Sequence, residues 1–567
     1  MLLKTKVLIL FMTSSLALYP SGTEAKTQLP QTDNTLSDKP AGRENRPAGR
    51  GHPYGGTLVW GEVHKPTIIN PILTQSSVSA SLMGLIFDPL VRVDSKGQIV
   101  PALAESWDVS DDGLEYTFYL RTDAKFHDGA DLTADDVVFT YQQVVDPAND
   151  SPFRAQYDLV EKFEAVGNNI FKIYLSKPFP PLLSKLLLEI IPKHLLEGED
   201  LNTTRFNDNP VGSGPFQFKE WDQESGRVEL IANPQYFEGR PYLDNIIVKT
   251  YSDDAKLWAA FMRREVDLML FIKQEDYTVI EHDPAFRAYA VPGSMYYALV
   301  YNLNDPVWRD RELREAVARG IDIEGIINAL PRFEGVKATG PFHPQSVGYN
   351  HEVRPYAFDS VKAKMMLMHR GWQDMPQDAH AAEAGIREKD GRQLEVRMLV
   401  DGRNDTYHRM AQIIRQQLAE IGIKLVILLY EDERELTPEY MARQKPQAWL
   451  RQFQGLSLDP YEATAAWYSF SSEFGKFGNY KSTEIDRLIE EGKSTRDVDE
   501  RNAIYKTIHQ VIYEDQPACF LFYPAGYFAV NVDFKNTDAY FSVFMPTYTL
   551  KDWYYSDTRK PPTLVGG

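Results

Sequence analysis

The sequence holds one cysteine, Cys519, among 567 residues. No disulfide can form within the chain, and no thiolate-based metal site is available. Cys519 sits in the apolar run Pro517-Ala518-Cys519-Phe520-Leu521-Phe522, which favours a buried structural thiol over a nucleophile. Positive charge is also in deficit. Against 61 Lys and Arg stand 80 Asp and Glu, a formal net charge of −19. Nucleic acid needs a basic face for its phosphates, so it is excluded as a partner, as are anionic lipid headgroups. Catalytic signatures are missing too. There is no Gly-x-x-x-x-Gly-Lys-Ser/Thr loop, no Gly-x-Ser-x-Gly elbow and no His-Glu-x-x-His. Val211-Gly212-Ser213-Gly214-Pro215 comes nearest, but Pro215 breaks the elbow pattern. The 11 histidines are scattered, and no metal site is expected. What these absences leave open on the catalytic side is a hydrolase using an unmarked carboxylate pair.

What is present begins with a leader-like N-terminus. Lys4 and Lys6 precede the apolar stretch Val7–Leu18, and Thr23-Glu24-Ala25 offers a small-x-small cleavage pattern. Residues 1–25 therefore read as a secretory signal peptide. The apolar stretch is too short for a bilayer span of roughly 20 residues. No cysteine stands directly after it, so a lipid anchor is not expected, and the mature chain is expected in the periplasm. Residues 26–54 are Pro, Gly, Asn, Thr and Arg with few apolar anchors, a composition that reads as a disordered linker. From Gly55 on, 43% hydrophobic and 25% charged residues overall suit a globular body with more than one core.

That body mixes strands and helices. Tyr116, Phe118 and Leu120 alternate with polar residues, as do Leu394, Val396, Met398 and Val400, and both predict half-buried strands. Ile504, Ile508, Val511 and Ile512 share one helical face. Thr483 to Glu491 predicts a short helix, with Thr483 and Asp486 at capping-box spacing and Gly492 as its stop. Ala411 to Ile421 predicts an amphipathic helix closed by Gly422 and feeding the strand Ile423–Tyr430. Asp111-Asp112-Gly113 predicts a turn between strands, and His127-Asp128-Gly129 and Gly212-Ser213-Gly214 predict tight turns. Thr133 and Asp136 predict a capped helix start. Helix-then-strand order of this kind makes a covered α/β sheet.

A series of ordered blocks resembles the family 5 extracellular solute-binding proteins of ABC importers, the dipeptide- and oligopeptide-binding type. The blocks are Phe87–Val91, Pro101–Trp107, Asp111–Arg121, Lys125–Gly129, Leu132–Val137, Ile191–Leu195, Asn209–Phe216, Asn233–Phe237, Tyr301–Asn304, Leu313–Val317 with Gly320–Asp322, Gly371-Trp372 and Glu484–Ile489. The resemblance spans roughly residues 55–560. It implies an α/β periplasmic binding protein fold of class II (cluster C), with two main lobes on a hinge plus an extra domain. Lobe I is expected to comprise 55–77, 209–296 and 516–560, the extra domain 78–208, and lobe III 297–515. It further implies a non-catalytic protein without cofactor. The protein is expected to be monomeric, to capture a peptide or other small solute by closure of lobes I and III, and to deliver it to ABC permease subunits. An oligosaccharide-binding member of the same family is the alternative.

Relatives that bind free peptides carry a Trp-x-x-Asp just before an acidic-Pro pair. Here the region reads Trp449-Leu450-Arg451-Gln452-Phe453-Gln454-Gly455-Leu456-Ser457-Leu458-Asp459-Pro460. Aligned on Asp459-Pro460 without gaps, Phe453 takes the Trp place and Leu456 the Asp place. The ligand's α-ammonium then lacks its expected anionic partner. Arg451 offers a cation for a carboxylate or phosphate. Gln454 and Gly455 lie between these positions. Ser76, Ser77, Tyr157, Asn302 and Tyr523 match positions that face ligand in relatives.

Overall fold

The computed structural model describes residues 54–556 apart from 75, 331–333, 375–384 and 470–476. The expected leader and all of the expected linker but Tyr54 lie outside the described residues. Three main sheets organise the rest.

The first is eight-stranded and mixed. Its order is Phe286–Pro292, Phe522–Asn531, Leu268–Met269, Thr57–Glu62, Asn245–Thr250, Arg227–Ala232 and Phe216–Asp222, with Gly335–Lys337 paired to Phe522–Asn531 off this path. Thr57–Glu62 runs parallel to both of its neighbours, and every other pairing is antiparallel. The second sheet is five-stranded, in the order Lys424–Tyr430, Glu395–Asp401, Ala448–Gln454, Met295–Tyr301 and Ala518–Phe520. Its first two strands are parallel because the helix Asp405–Glu420 carries the chain back between them. Met410, Ala411, Ile414 and Leu418 are that helix's buried face. Gly422 follows at φ +88°, the left-handed turn that ends it. The third sheet is an antiparallel set of four: Ala104–Val109, Glu115–Leu120, Ile170–Leu175 and Val160–Val166. Tyr116, Phe118 and Leu120 are the buried residues of Glu115–Leu120, as the alternation requires. Rings of Tyr141, Phe163 and Phe171 stack between it and the helix Ala134–Val145. Thr133 N donates to Asp136 Oδ2 at 2.9 Å at the start of that helix.

Packing divides these sheets unequally. One apolar cluster runs without a break from Leu58 and Trp60 of the first sheet, through Phe87 and Phe118, to Val530 and Trp553. The first and third sheets therefore share a core. The five-stranded sheet has clusters of its own on each face. Tyr297, Leu299 and Tyr301 point into one, and Tyr296, Ala298 and Val300 into the other, following the period of two along their strand.

The two large sheets are joined by two adjacent crossings. Phe286–Pro292 continues through Gly293-Ser294 into Met295–Tyr301, and Ala518–Phe520 continues through Leu521 into Phe522–Asn531. Gly293 N donates to Pro524 O at 2.7 Å, and Leu521 N to Tyr297 O at 2.9 Å. A Cβ on Gly293 would stand 2.6 Å from the Pro524 carbonyl oxygen. The glycine is there because two backbones meet.

Four local expectations are corrected. Gly212 and Gly214 are not at positive φ; a Cβ on either would strike the Ile86 carbonyl, at 1.9 and 2.8 Å, so close approach rather than turning freedom requires them. The helix expected to stop at Gly492 continues to Ser494, and Gly492 lies inside it against the Tyr505 ring of the next helix. Its cap is Ser482, accepting from Ile485 N at 3.3 Å, while Asp486 instead accepts from Ser469 N at 2.9 Å. Ala518–Phe520, assigned by the family pattern to lobe I, hydrogen-bonds into the five-stranded sheet beside Met295–Tyr301.

Candidate functional site

The crossings carry an aromatic cluster on the five-stranded side. Strand Ala448–Gln454 pairs with Met295–Tyr301, placing Phe453 opposite Tyr296. Their ring centroids are 5.8 Å apart, and Trp467 lies 6.0 Å from Phe453. Gly455 and Leu456 follow, both with backbone N–H groups donating to Ser294 O at 2.9 Å. This double bond to one carbonyl ties the end of the strand to the crossing. Tyr523, on the second crossing, packs against Tyr296 at 5.3 Å and against His343 at 4.6 Å. His343 N donates to Gly455 O at 2.8 Å, closing the ring of contacts. A Cβ on Gly455 would lie 2.2 Å from the Tyr523 hydroxyl, so only glycine admits that phenol.

The cluster is neutral. Burial pushes the His343 pKa down to about 4, so its imidazole is uncharged at neutral pH. Burial raises the phenols of Tyr523 and Tyr296 above their ordinary range. The carboxylates on adjoining segments are engaged. Asp459 accepts from Arg501 at 2.7 Å and from Tyr461 N at 2.9 Å, where it caps the helix Pro460–Thr464. Glu433 pairs with Arg451 at 3.1 Å, and Glu462 with Lys185. Neither Asp459 nor Glu462 is placed as one half of a free acid pair. Ser213, centre of the elbow-like motif, is buried and bonded to Asp88 Oδ2 at 3.0 Å, a structural role. Cys519 is buried, which pushes its thiol up to about 12. Among the described residues no group of three His, Cys, Asp or Glu is arranged to hold a metal ion.

Of the residues singled out from sequence, Phe453, Gly455, Leu456 and Tyr523 come together here. Gln454 is exposed beside them, its side-chain amide donating to the Leu456 carbonyl. Arg451 lies two residues back along the strand, its guanidinium 4.2 Å over the Trp449 ring as well as paired to Glu433. Asn302 stands at the far end of Met295–Tyr301, bonded to Asn479 at 3.2 Å. Ser76 caps the helix Ser77–Ile86 by accepting from Ser79 N at 3.5 Å, and Ser77 is exposed at its first position. Tyr157 lies elsewhere, in the core under the four-stranded sheet, its hydroxyl donating to Lys185 O at 2.6 Å. Sequence reading missed His343 and Tyr296. No local pattern marks His343 in Pro341-Phe342-His343-Pro344, because its partners come from distant segments.

Residues of the expected extra domain touch the five-stranded half through side chains. Lys185 reaches Glu462, and Ser184 Oγ lies 3.3 Å from the same carboxylate. Phe179 meets Tyr461 edge to face at 6.1 Å.

Comparison with known proteins places this architecture. Residues 98–474, two thirds of the chain, match the model of "Bacterial extracellular solute-binding proteins, family 5 Middle". The oligopeptide-binding protein AppA of Bacillus subtilis is 28% identical over 565 residues, covering 97% of this chain and 99% of that protein. Its structure in complex with a nonapeptide superposes with a TM-score of 0.67, covering 89% of this chain and 100% of that one at 28% identity. The ABC transporter substrate-binding protein CtaP from Listeria monocytogenes superposes with a TM-score of 0.77 at 27% identity, over 89% of this chain and 100% of that one.

Proposed function

The chain belongs to the bacterial extracellular solute-binding proteins of family 5, and from that premise we propose that it captures a peptide-like solute at the aromatic cluster beside the two crossings and hands it to an ABC importer. The observation that carries this is the cluster's placement. Rings and backbone polar groups gather where the two sheets are joined, an apolar, sparsely polar setting of the kind that lines small-ligand sites. Two adjacent strands make a hinge, and closure about it buries what lies between. The shared core of the first and third sheets supports a division in which lobe I and the extra domain move together against lobe III. Ser76 and Ser77 approach the ligand from lobe I on closure, and Arg451 and Gln454 line the lobe III side.

The protein performs no chemistry on its ligand. No helix among the described residues is long and apolar enough to cross a membrane; export by the N-terminal leader delivers the chain to the periplasm as a monomer. Mass spectrometry of small molecules released by denaturing the purified protein tests the reading. A stoichiometric peptide-like compound is expected, together with a fall in the radius of gyration when the stripped protein is reloaded. A sugar in its place overturns the peptide assignment, and an unchanged scattering profile overturns hinge closure.

A further inference from the structure

Beside the four-stranded sheet a hollow opens that belongs to neither large sheet. Its volume is about 460 Å³, within the usual range for small-molecule sites. Every residue lining it falls between Gln142 and Phe163. The walls are the end of the helix Ala134–Val145, the short helical turn Arg154–Tyr157 and the edge strand Val160–Val166. The edge strand is bulged there. Val160 pairs with Leu175 and Lys162 with Tyr174, which leaves Glu161 as an extra residue without a ladder partner. Alternate residues of a regular strand face one side, yet Val160, Glu161, Lys162 and Phe163 all line the hollow. Bulges are over-represented at sheet edges and beside functional sites, where they re-aim side chains.

The lining carries both signs of charge beside apolar surface. Val145, Val160 and Phe163 are each only partly buried. The Tyr157 hydroxyl is committed to Lys185 O at 2.6 Å and offers the hollow no donor. Lys162 is held by Glu164 at 2.6 Å. Arg154, Asp158 and Glu161 are exposed and have no ion pair among the described residues. A simple anion would meet the repulsion of Asp158 and Glu161, and a simple cation that of Arg154. A molecule with a carboxylate at one end and an ammonium at the other answers both signs, and lays its side chain on the apolar surface.

We propose that this hollow is an accessory site for a small zwitterion, an amino acid or a dipeptide. Arg154 takes the carboxylate, and Asp158 and Glu161 take the ammonium. The site shares no residue with the aromatic cluster at the crossings, and a ligand there is not required for it.

The test is photo-crosslinking of the full protein with leucyl-photoleucine, a dipeptide whose diazirine marks what it touches, followed by peptide mapping. Saturable label is expected on residues 142–163, competed away by excess dileucine. Arg154→Ala is expected to reduce that label roughly tenfold, and Asp158→Asn combined with Glu161→Gln to do likewise. These three positions are exposed, so the fold should survive the changes. The same probe capped as an N-acetyl amide is expected to label the hollow weakly. Absence of saturable label from residues 142–163, or label undiminished in the variants, overturns the site. Equal labelling by the capped probe overturns the zwitterion as its ligand. Label confined to residues 142–163, with none at the crossings, supports this site while counting against the peptide-like reading above.

Discussion

The two places where the halves of this molecule meet are built in opposite ways. At the crossings the connection is covalent and backbone-bonded: Gly293 to Pro524, Leu521 to Tyr297, and Gly455 and Leu456 to Ser294. Nearly everything there is buried and uncharged. At the second place, a rim between the extra region and the five-stranded half, the contact shown is made by side chains, Lys185 and Ser184 to Glu462 and Phe179 to Tyr461. A join of the first kind holds through any motion. One of the second kind opens with rotation of a few bonds, since a partly exposed ion pair is worth only about 0–1 kcal/mol. On the proposed closure, the first is the side that turns and the second the side that parts.

The sharpest way to break the comparison is at the crossing. Gly293→Val drives a side chain into the Pro524 carbonyl. It is expected to cost roughly 2–3 kcal/mol in denaturant-unfolding experiments. Tolerance within experimental error would mean that the crossings are not closely apposed in solution. Next comes the cluster itself. Phe453→Ala removes the ring between Tyr296 and Trp467 and is expected to weaken ligand by about 2 kcal/mol, roughly thirtyfold in Kd. A calorimetric Kd equal to that of the parent protein would remove the cluster from the binding site.

A smaller effect is expected at the rim. Glu462→Gln discharges the contact with Lys185 and favours the open form, raising Kd about two- to fivefold. That loss should shrink as salt rises, and a salt-independent change would argue against an ionic rim.

The smallest effect concerns pH and results from cancellation. His127, His343 and His509 are pushed by burial to about 4 from 6.5. Their contribution to stability is present above pH 6.5 and lost as pH falls toward 4. Burial raises Glu62 and Glu189 to about 7 and Asp88 and Asp267 to about 6. Their contribution is present below the ordinary carboxyl range and lost as pH rises toward 7. One proton's difference between folded and unfolded states is worth about 1.4 kcal/mol per pH unit, and here the slopes oppose. The thermal midpoint is therefore expected to move by about 3 °C or less between pH 5 and 6.5. His509→Gln, which removes one histidine from the balance, should tilt the profile toward greater stability at the acid end.

Much of this fold was legible in the chain because its signals are local. The alternation at Tyr116, Phe118 and Leu120, the helix ending at Gly422 and the cap at Thr133 each depend on residues within one element. The misreadings share a different cause. Gly212, Gly214 and Gly492 looked like turn and stop signals, but distant partners, the Ile86 carbonyl and the Tyr505 ring, require them. Sequence proximity carries no trace of such meetings. The site was half legible for the same reason. Phe453, Gly455 and Leu456 are neighbours and came together, whereas His343 enters from more than a hundred residues away and joins through one bond to Gly455.

The order of the first sheet has a bearing on how the molecule is made. Phe522–Asn531 lies between Phe286–Pro292 and Leu268–Met269, an interior place filled by one of the last strands of the chain. A polypeptide emerging from its N-terminus has every other strand of that sheet on the path before this one arrives, and holds a gap until it does. Pairing so distant in sequence is slow and closes late. Closure of that sheet thus waits until nearly all of the chain has been synthesised.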